Sequence, residues 1–218
     1  MTIPHVSTNI SWHHAKVTAD DRRRVLGQSG CVLWLTGLSG SGKSTIARAL
    51  EYALLQKGRA AYVLDGDNIR HGLSADLDFS PQSRTENIRR VAEVAALLSD
   101  AGLFVITAFI SPYSEDRKRA RAIVNRAEGM MEEPSLNRFH EVYINTPLDV
   151  CEARDPKALY AKARAGLLPE FTGISAPFEE PASPDLELRT AVAPVDCCVR
   201  RIIEHLEKNG YLGKTIDA

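Results

Sequence analysis

The sequence predicts an α/β fold, a three-layer sandwich in which helices cover both faces of a five-stranded, mostly parallel sheet. Three observations favour it. Apolar runs of strand length alternate with longer segments whose apolar residues recur at helical spacing. A glycine-rich turn joins the first such strand to the first long helix. The chain has 218 residues, 44% of them hydrophobic, which is enough for one domain with a full core.

The first predicted strand, residues 31–36, leads into a complete G-x-x-x-x-G-K-[ST] phosphate-loop motif, and residues 46–55 follow at helical spacing. Glycines let a loop turn its N–H groups toward an anion. Lys43 would reach the β- and γ-phosphates, and the Ser44 hydroxyl would ligate Mg²⁺. The motif therefore predicts a P-loop NTPase fold that binds ATP phosphates. Its residues are Gly37, Leu38, Ser39, Gly40, Ser41, Gly42, Lys43, Ser44 and Thr45.

Two carboxylates follow the second predicted strand, residues 60–64. Asp65 and Asp67 would lie beyond the carboxyl end of that strand, close to the phosphate loop. Such carboxylates suit the water shell of Mg²⁺ and the acceptance of a proton from a hydroxyl. The alternative is an ordinary Asx-type turn. The residues alone do not decide which of the two would be the base.

The third strand is predicted over residues 103–110, after a helix that runs to about Asp100. It ends without an aspartate, although many phosphate-loop proteins place a metal-shell aspartate there. This suggests that Asp65 and Asp67 do the metal work, with Asp65 and Ser44 as the metal ligands. Arg70 and Arg84 lie at predicted element ends and are candidates for anion binding.

The second half of the chain contains two basic segments. Residues 115–127 form a helix whose arginines and lysines are predicted to be a solvated face. Residues 158–165 form a short basic helix between turn signals, typical of a mobile lid that closes over phosphates. The remaining predicted elements are a short helix over 69–73, strands over 139–145 and 186–188, and helices that begin at Pro147 and Val195.

Composition limits the possible partners and locations. The net charge of −1 gives no overall electrostatic case for nucleic acid or a membrane surface, and no apolar run has transmembrane length. The first residues lack the blocks of a signal peptide, so we expect a cytoplasmic protein whose four cysteines are reduced thiols. We divide the chain into an extension (1–30), a P-loop domain (31–213) and a tail (214–218).

The phosphate loop alone does not distinguish switches, motors and kinases. The fourth strand is followed by Asn145-Thr146-Pro147-Leu148 rather than a guanine motif of the N-K-x-D type, which disfavours a GTPase. A large motor would need a longer chain. A small domain with a basic lid favours phosphoryl transfer to a small acceptor.

Six blocks of sequence stand in a fixed order along the chain: residues 37–45, 65–70, 84–90, 109–113, 151–157 and 171–174. This order resembles that of the adenylyl-sulfate kinase family, and Ser11-Trp12-His13 adds to the likeness. The resemblance implies transfer of the γ-phosphate of MgATP to the 3′-hydroxyl of adenylyl sulfate in sulfate assimilation, by a homodimer. Another small-molecule kinase and a non-catalytic nucleotide-binding subunit remain the alternatives.

The resemblance also implies roles for individual residues. The sulfate–phosphate end of the substrate would be held by Arg70, Arg84 and Asn87, and its adenine would stack on Phe79 and Phe171. The same pocket would be lined by Ile110, Ser111 and Lys157. Arg154 would lie near the ATP adenine.

Two positions bear on the mechanism and on the motion of the lid. Bacterial members of the family carry a phosphoserine assignment at the position of Ser111, which makes this residue a catalytic candidate, but direct in-line transfer requires only positioning and charge stabilisation. Ala158 stands in the lid where many members have glycine, and this difference could alter lid motion.

Overall fold

The computed structural model describes residue 9 and residues 16–126 and 137–212. The block Ser11-Trp12-His13 and the predicted tail 214–218 lie outside the described residues. The described chain forms a five-stranded sheet in the order β2-β3-β1-β4-β5, with every pair parallel. This confirms the predicted α/β class. The strands are β1 (Cys31–Thr36), β2 (Ala61–Asp65), β3 (Phe104–Ala108), β4 (Phe139–Ile144) and β5 (Leu186–Leu188).

Helices cover both faces of the sheet, because the central strands are apolar on both sides. In β1, Leu33 packs with the helices that carry Leu50 and Ile202, whereas Trp34 packs with those that carry Val91 and Ile123. All six residues of β1 are buried, as expected for a central parallel strand. The helices are α1 (Ala19–Leu26), α2 (Lys43–Gln56), α3 (Gly66–Ile69), α4 (Pro81–Asp100), α5 (Ser114–Arg126), α6 (Leu148–Arg154), α7 (Leu159–Arg164) and α8 (Val195–Lys208).

Local capping residues set the starts of two helices. The short helix predicted over 69–73 is instead α3, because the Asp65 side chain accepts a hydrogen bond from the Asp67 amide and caps the helix directly after β2. Helix α4 begins at Pro81, where Ser80 is the N-cap and proline occupies the first turn. These capping signals are local, and apolar periodicity alone misses them.

The prediction that the basic residues of helix α5 face solvent is wrong for Arg117. Lys118 and Arg119 are exposed, but Arg117 is only 3% exposed. Its guanidinium forms an ion pair with Glu141 of β4 at 2.7 Å. Charge alone does not reveal this burial, since the carboxylate that compensates it lies on a distant strand.

Three further features concern the rest of the described chain. A short charged helix, α1, precedes the sheet, and Thr18 caps it. Cys31, Cys151, Cys197 and Cys198 are free thiols, as predicted. Among the described residues, no helix combines the length and the apolar character needed to cross a membrane.

Candidate active site

A cavity of about 880 Å³ opens along the carboxyl ends of the parallel strands, where ligands bind in open α/β sheets. The phosphate loop lines one part of it, and aromatic and basic side chains line another. Three predicted loop residues, Gly37, Leu38 and Ser41, do not line this cavity. The predicted residues that do line it are Ser39, Gly40, Gly42, Lys43, Ser44, Thr45, Asp65, Asp67, Arg70, Phe79, Arg84, Asn87, Ile110, Ser111, Arg154, Lys157 and Phe171.

Glycine is required at two turns of the phosphate loop. Gly37 has a φ of 150°, and a Cβ there would lie 2.6 Å from the carbonyl oxygen of Ile144. Gly40 has a φ of 73°, and a Cβ there would lie 2.9 Å from the carbonyl oxygen of Cys151. The loop can therefore pass close to β4 and α6, and it ends at Gly42, the N-cap of α2. Unpaired N–H groups at this helix start face the site for an anion.

Lys43 is the first residue of α2, and its ammonium group is buried against the loop. Its Nζ donates to the carbonyl oxygens of Gly37 at 2.8 Å and Leu38 at 2.6 Å. Burial lowers the pKa of Lys43 from 10.5 to about 8, although the nearby Asp65 opposes the shift. A bound phosphate would supply the compensating negative charge that this group lacks.

Asp65 is a buried carboxylate with one free oxygen. Its Oδ1 accepts the hydrogen bond from the Asp67 amide at 3.0 Å, whereas Oδ2 is buried without a hydrogen-bond partner. A buried unpaired carboxylate oxygen is costly unless something binds it. Its position on the cavity wall with Ser44 fits a hydrated Mg²⁺, which prefers oxygen ligands and keeps much of its water.

Asp67 is in a different environment, although it is only two residues away. Its side chain is 65% exposed, and Oδ2 pairs with the Nζ of Lys157. Lys157 lies between α6 and α7, the predicted lid. The ion pair therefore connects the segment after β2 to the lid segment across the cavity.

Two arginines and one exposed aromatic ring form the basic part of the cavity. Arg70 donates to the carbonyl oxygens of Leu77 and Asp78, and its guanidinium lies 4.2 Å from the centroid of the Phe79 ring. The Phe79 ring is 64% exposed. Arg84 donates to the hydroxyl of Thr172 at 3.2 Å and to the carbonyl oxygen of residue 170 at 2.6 Å. Both guanidiniums retain donors that an anionic ligand could use.

The second predicted stacking ring, Phe171, is buried rather than exposed. It packs edge-on against Tyr160 of α7, with ring centroids 5.0 Å apart. Asn87 of α4 is also buried, and its Oδ1 lacks a hydrogen-bond partner. A free amide oxygen on the wall of a cavity is an acceptor for a ligand hydroxyl or amine.

Ser111 does not present its hydroxyl freely to the cavity. It is 2% exposed and has a φ of 41°. Its Oγ accepts from the Trp34 indole at 3.2 Å and donates to the Thr36 hydroxyl at 3.0 Å. The neighbouring Ile110 carbonyl also accepts from Thr36, at 2.7 Å. The bend after β3 is thus fixed by hydrogen bonds from β1.

Arg154 lies beside the phosphate loop, and it contacts a residue that sequence reasoning missed. Its guanidinium donates to the Thr190 hydroxyl at 2.9 Å and to the Thr190 carbonyl at 2.8 Å. The Thr190 hydroxyl itself donates to the carbonyl of Ser41 at 2.7 Å. Thr190 follows the carboxyl end of β5, so the general location of sites in parallel sheets was a usable signal.

Comparison with known proteins identifies close relatives. The sequence model of one family, described as adenylylsulphate kinase, matches residues 29–189. An adenylyl-sulfate kinase from Prochlorococcus marinus is 52% identical over 200 residues, which are 92% of this chain and 94% of the relative. Another from Saccharomyces cerevisiae is 53% identical over 201 residues, 92% of this chain and 95% of the relative.

Solved structures agree with these sequence relatives. The Mycobacterium tuberculosis APS kinase CysC in complex with AMPPNP and APS is similar with a TM-score of 0.77 and 49% identity, over 83% of this chain and 99% of that chain. A hexameric APS kinase from Thiobacillus denitrificans is 30% identical with a TM-score of 0.63, over 90% of this chain and 31% of that chain.

Proposed function

The chain belongs to the adenylyl-sulfate kinase family, and on that premise we propose that its cavity transfers the γ-phosphate of MgATP to the 3′-hydroxyl of adenylyl sulfate. The observation that carries the proposal is the composition of the single cavity described above. A phosphate loop, a carboxylate pair and an aromatic–arginine group line it together. This combination suits an acceptor that has both an aromatic base and anionic groups.

The phosphate-loop part would bind ATP. Lys43 and the amides at the start of α2 provide positive charge for the β- and γ-phosphates. Arg154 is held by Thr190 at the edge of the loop and would contact the ATP adenine. The relative from M. tuberculosis was solved with AMPPNP, an ATP analogue, and with APS, which supports this use of the same fold.

The aromatic and basic part would bind adenylyl sulfate. Arg70, Arg84 and Asn87 would hold the sulfate–phosphate group, while Phe79 and Phe171 would stack on the adenine. The exposed face of Phe79 supports this role, and so does its stacking with Arg70. Ile110 and Lys157 would complete the pocket wall.

The two aspartates would have separate roles. Asp65 and Ser44 would hold Mg²⁺ and its water, since Asp65 has the unpaired buried oxygen. When bound, the metal would neutralise charge on the β- and γ-phosphates. Asp67 would accept the proton of the attacking 3′-hydroxyl, because its carboxylate is exposed to the cavity and bound only through a surface ion pair. The lysine of that pair, Lys157, would then be free to contact the substrate.

Direct transfer suits this site better than a phosphoserine intermediate. The Ser111 hydroxyl is buried and hydrogen-bonded to Trp34 and Thr36, so it would have to be reoriented before it could attack ATP. An in-line transfer needs no such change, because positioning and electrostatic stabilisation supply most of the catalysis. We therefore assign Ser111 to the shape of the pocket rather than to covalent chemistry.

The test is a coupled assay of ADP release from MgATP with and without adenylyl sulfate, with the product identified by mass. ADP release that requires adenylyl sulfate, and a product heavier by one phosphate, would support the proposal. Release with a different acceptor would favour another small-molecule kinase. Binding of MgATP without any transfer would favour a non-catalytic nucleotide-binding subunit.

Two matched substitutions test the separate roles proposed for Asp65 and Asp67. Asp65→Asn should raise the Mg²⁺ concentration needed for half-maximal activity. Asp67→Asn should lower kcat with little change in that concentration. The same effect of both substitutions on the Mg²⁺ requirement would contradict the separation of roles.

We also propose a homodimer in the cytoplasm. The dimer is supported by the family resemblance, and a hexameric relative shows that assembly occurs among similar proteins. Sedimentation of the purified chain would test it, and a monomer at micromolar concentration would contradict it.

A further inference from the structure

We propose that Arg117 is a positioning residue for the transfer reaction, which fixes the bend at Ser111 and thereby shapes the substrate side of the cavity. This inference rests on the proposed function for its kinetic test. Its structural basis is the left-handed backbone of Ser111, which has a φ of 41°. For a residue with a side chain, this conformation is unfavourable and persists only when neighbouring contacts impose it.

The guanidinium of Arg117 makes three directed contacts. Its Nη1 donates to the Ser111 carbonyl at 2.8 Å, and its Nη2 donates to the Glu179 carbonyl at 2.7 Å. Its Nε pairs with Glu141 at 2.7 Å. A planar fork with fixed donors can hold three acceptors in one geometry, whereas a lysine ammonium cannot match them.

The segment around Glu179 is tied to the same bend from the other side. The Glu179 amide donates to the Pro112 carbonyl at 2.9 Å, and its carboxylate accepts from the Ser114 amide at 2.7 Å. The Phe178 ring lies 6.0 Å from the Arg117 guanidinium. Arg117 thus joins the chain after β3 to the chain before β5.

The contacts of Arg117 lie on the substrate side of the cavity rather than beside the ATP phosphates. Ile110, Ser111 and Pro112 line the cavity beside Phe171 and Thr172. The carbonyls of the phosphate loop are held by different groups, Lys43 and Thr190, and the loop meets the bend through a long hydrogen bond of 3.5 Å from the Gly37 amide to the Ile110 carbonyl. Relaxation of the bend should therefore move the wall of the adenylyl sulfate pocket and leave the ATP phosphates in place.

The test compares Arg117→Lys with Arg121→Lys. Arg121 is one turn along the same helix and also lies near Glu141, at 3.8 Å, but it donates to Phe139 and Asp185 rather than to the bend. Arg117→Lys keeps the charge that compensates Glu141 and removes the fork. It should raise the KM for adenylyl sulfate roughly tenfold, as expected for the loss of one charge-assisted hydrogen bond. The Kd for MgATP should stay within about twofold, and Arg121→Lys should change neither constant.

A second measurement does not depend on the reaction. Amide hydrogen exchange should be faster in Arg117→Lys than in the wild type over residues 111–117 and 178–180, and unchanged there in Arg121→Lys. If the wild type does not phosphorylate adenylyl sulfate, the proposed function fails, but exchange still tests whether Arg117 holds the bend.

Three results would overturn the inference. The first is an unchanged KM for adenylyl sulfate in folded Arg117→Lys. The second is an equal rise in the KM and in the Kd for MgATP, which would indicate general damage. The third is unchanged hydrogen exchange at the bend. If Arg117→Lys does not fold, the double substitution Arg117→Met with Glu141→Gln removes both buried charges, and the same three measurements apply.

Discussion

Replacement of His140 should remove part of the acid sensitivity of folding. His140 lies on β4, 3% exposed, and its Nδ1 is 3.0 Å from the Nε2 of His205 on α8. Burial, together with the nearby His205 and Arg121, lowers the pKa of His140 from 6.5 to about 4, although Asp185 opposes the shift. The neutral imidazole is therefore the form that the folded protein accommodates.

The direction of the effect follows from proton binding. Between pH 6.5 and about 4, the unfolded chain binds a proton at this imidazole that the folded protein does not. The free energy of unfolding should therefore fall as the pH falls through this range. A pKa lowered from 6.5 to about 4 corresponds to a loss of about 3 kcal/mol at pH 4, and about 2 kcal/mol of it is already lost at pH 5.

The assay is urea unfolding, followed by circular dichroism, at pH 7, 6 and 5 for the wild type and for His140→Leu. Carboxylates also titrate at the acid end, so the quantity to compare is the difference between the two proteins. The wild type should lose about 2 kcal/mol more than the variant between pH 7 and pH 5. His205→Gln is the second variant to compare: burial lowers the pKa of His205 as well, so this variant should lose part of the acid sensitivity while His140 stays buried.

Equal losses in the wild type and His140→Leu would refute the reasoning. If the variant does not fold, the imidazole of the wild type can be titrated directly by NMR. A pKa above 6 for His140 would then show that burial does not exclude its charge.

Three other predictions concern the cavity and its lid. Because burial lowers the pKa of Lys43 to about 8, its charge is lost above that pH, and the Kd for MgATP should rise by up to about tenfold per pH unit. A Kd that calorimetry finds constant up to pH 9.5 would contradict this prediction. Ser111→Ala should retain appreciable turnover, and it should lose about 1–3 kcal/mol of stability because the buried Trp34 indole loses its acceptor. Abolished turnover in a folded variant would instead support a phosphoserine step. Ala158, at the start of α7, has a left-handed φ of 52°, so Ala158→Gly should stabilise the protein by up to about 1 kcal/mol in thermal unfolding. Ala165→Gly, at a φ of −75°, is the matched control and should give no gain.

Local sequence determined the nucleotide part of this site. The phosphate loop, the strand before it and the helix after it lie within one continuous stretch of chain, and each residue type has a function that needs no distant partner. The carboxylates after β2 could be predicted for the same reason, since the carboxyl ends of parallel strands share one edge. The substrate residues came from resemblance to a family, and their roles remain proposals.

Only the tertiary structure decided which charges and hydroxyls are free. Arg117 belongs to a basic run that is typical of a solvated face, yet its partners Glu141 and Glu179 lie 24 and 62 residues away. Ser111 is a catalytic candidate from the family resemblance, but Trp34, 77 residues away, donates a hydrogen bond to its hydroxyl. Asp65 and Asp67 are almost adjacent and chemically identical, and they differ because one is buried and the other faces the lid. Burial and pairing depend on contacts between distant segments, and a local pattern contains no information about those contacts.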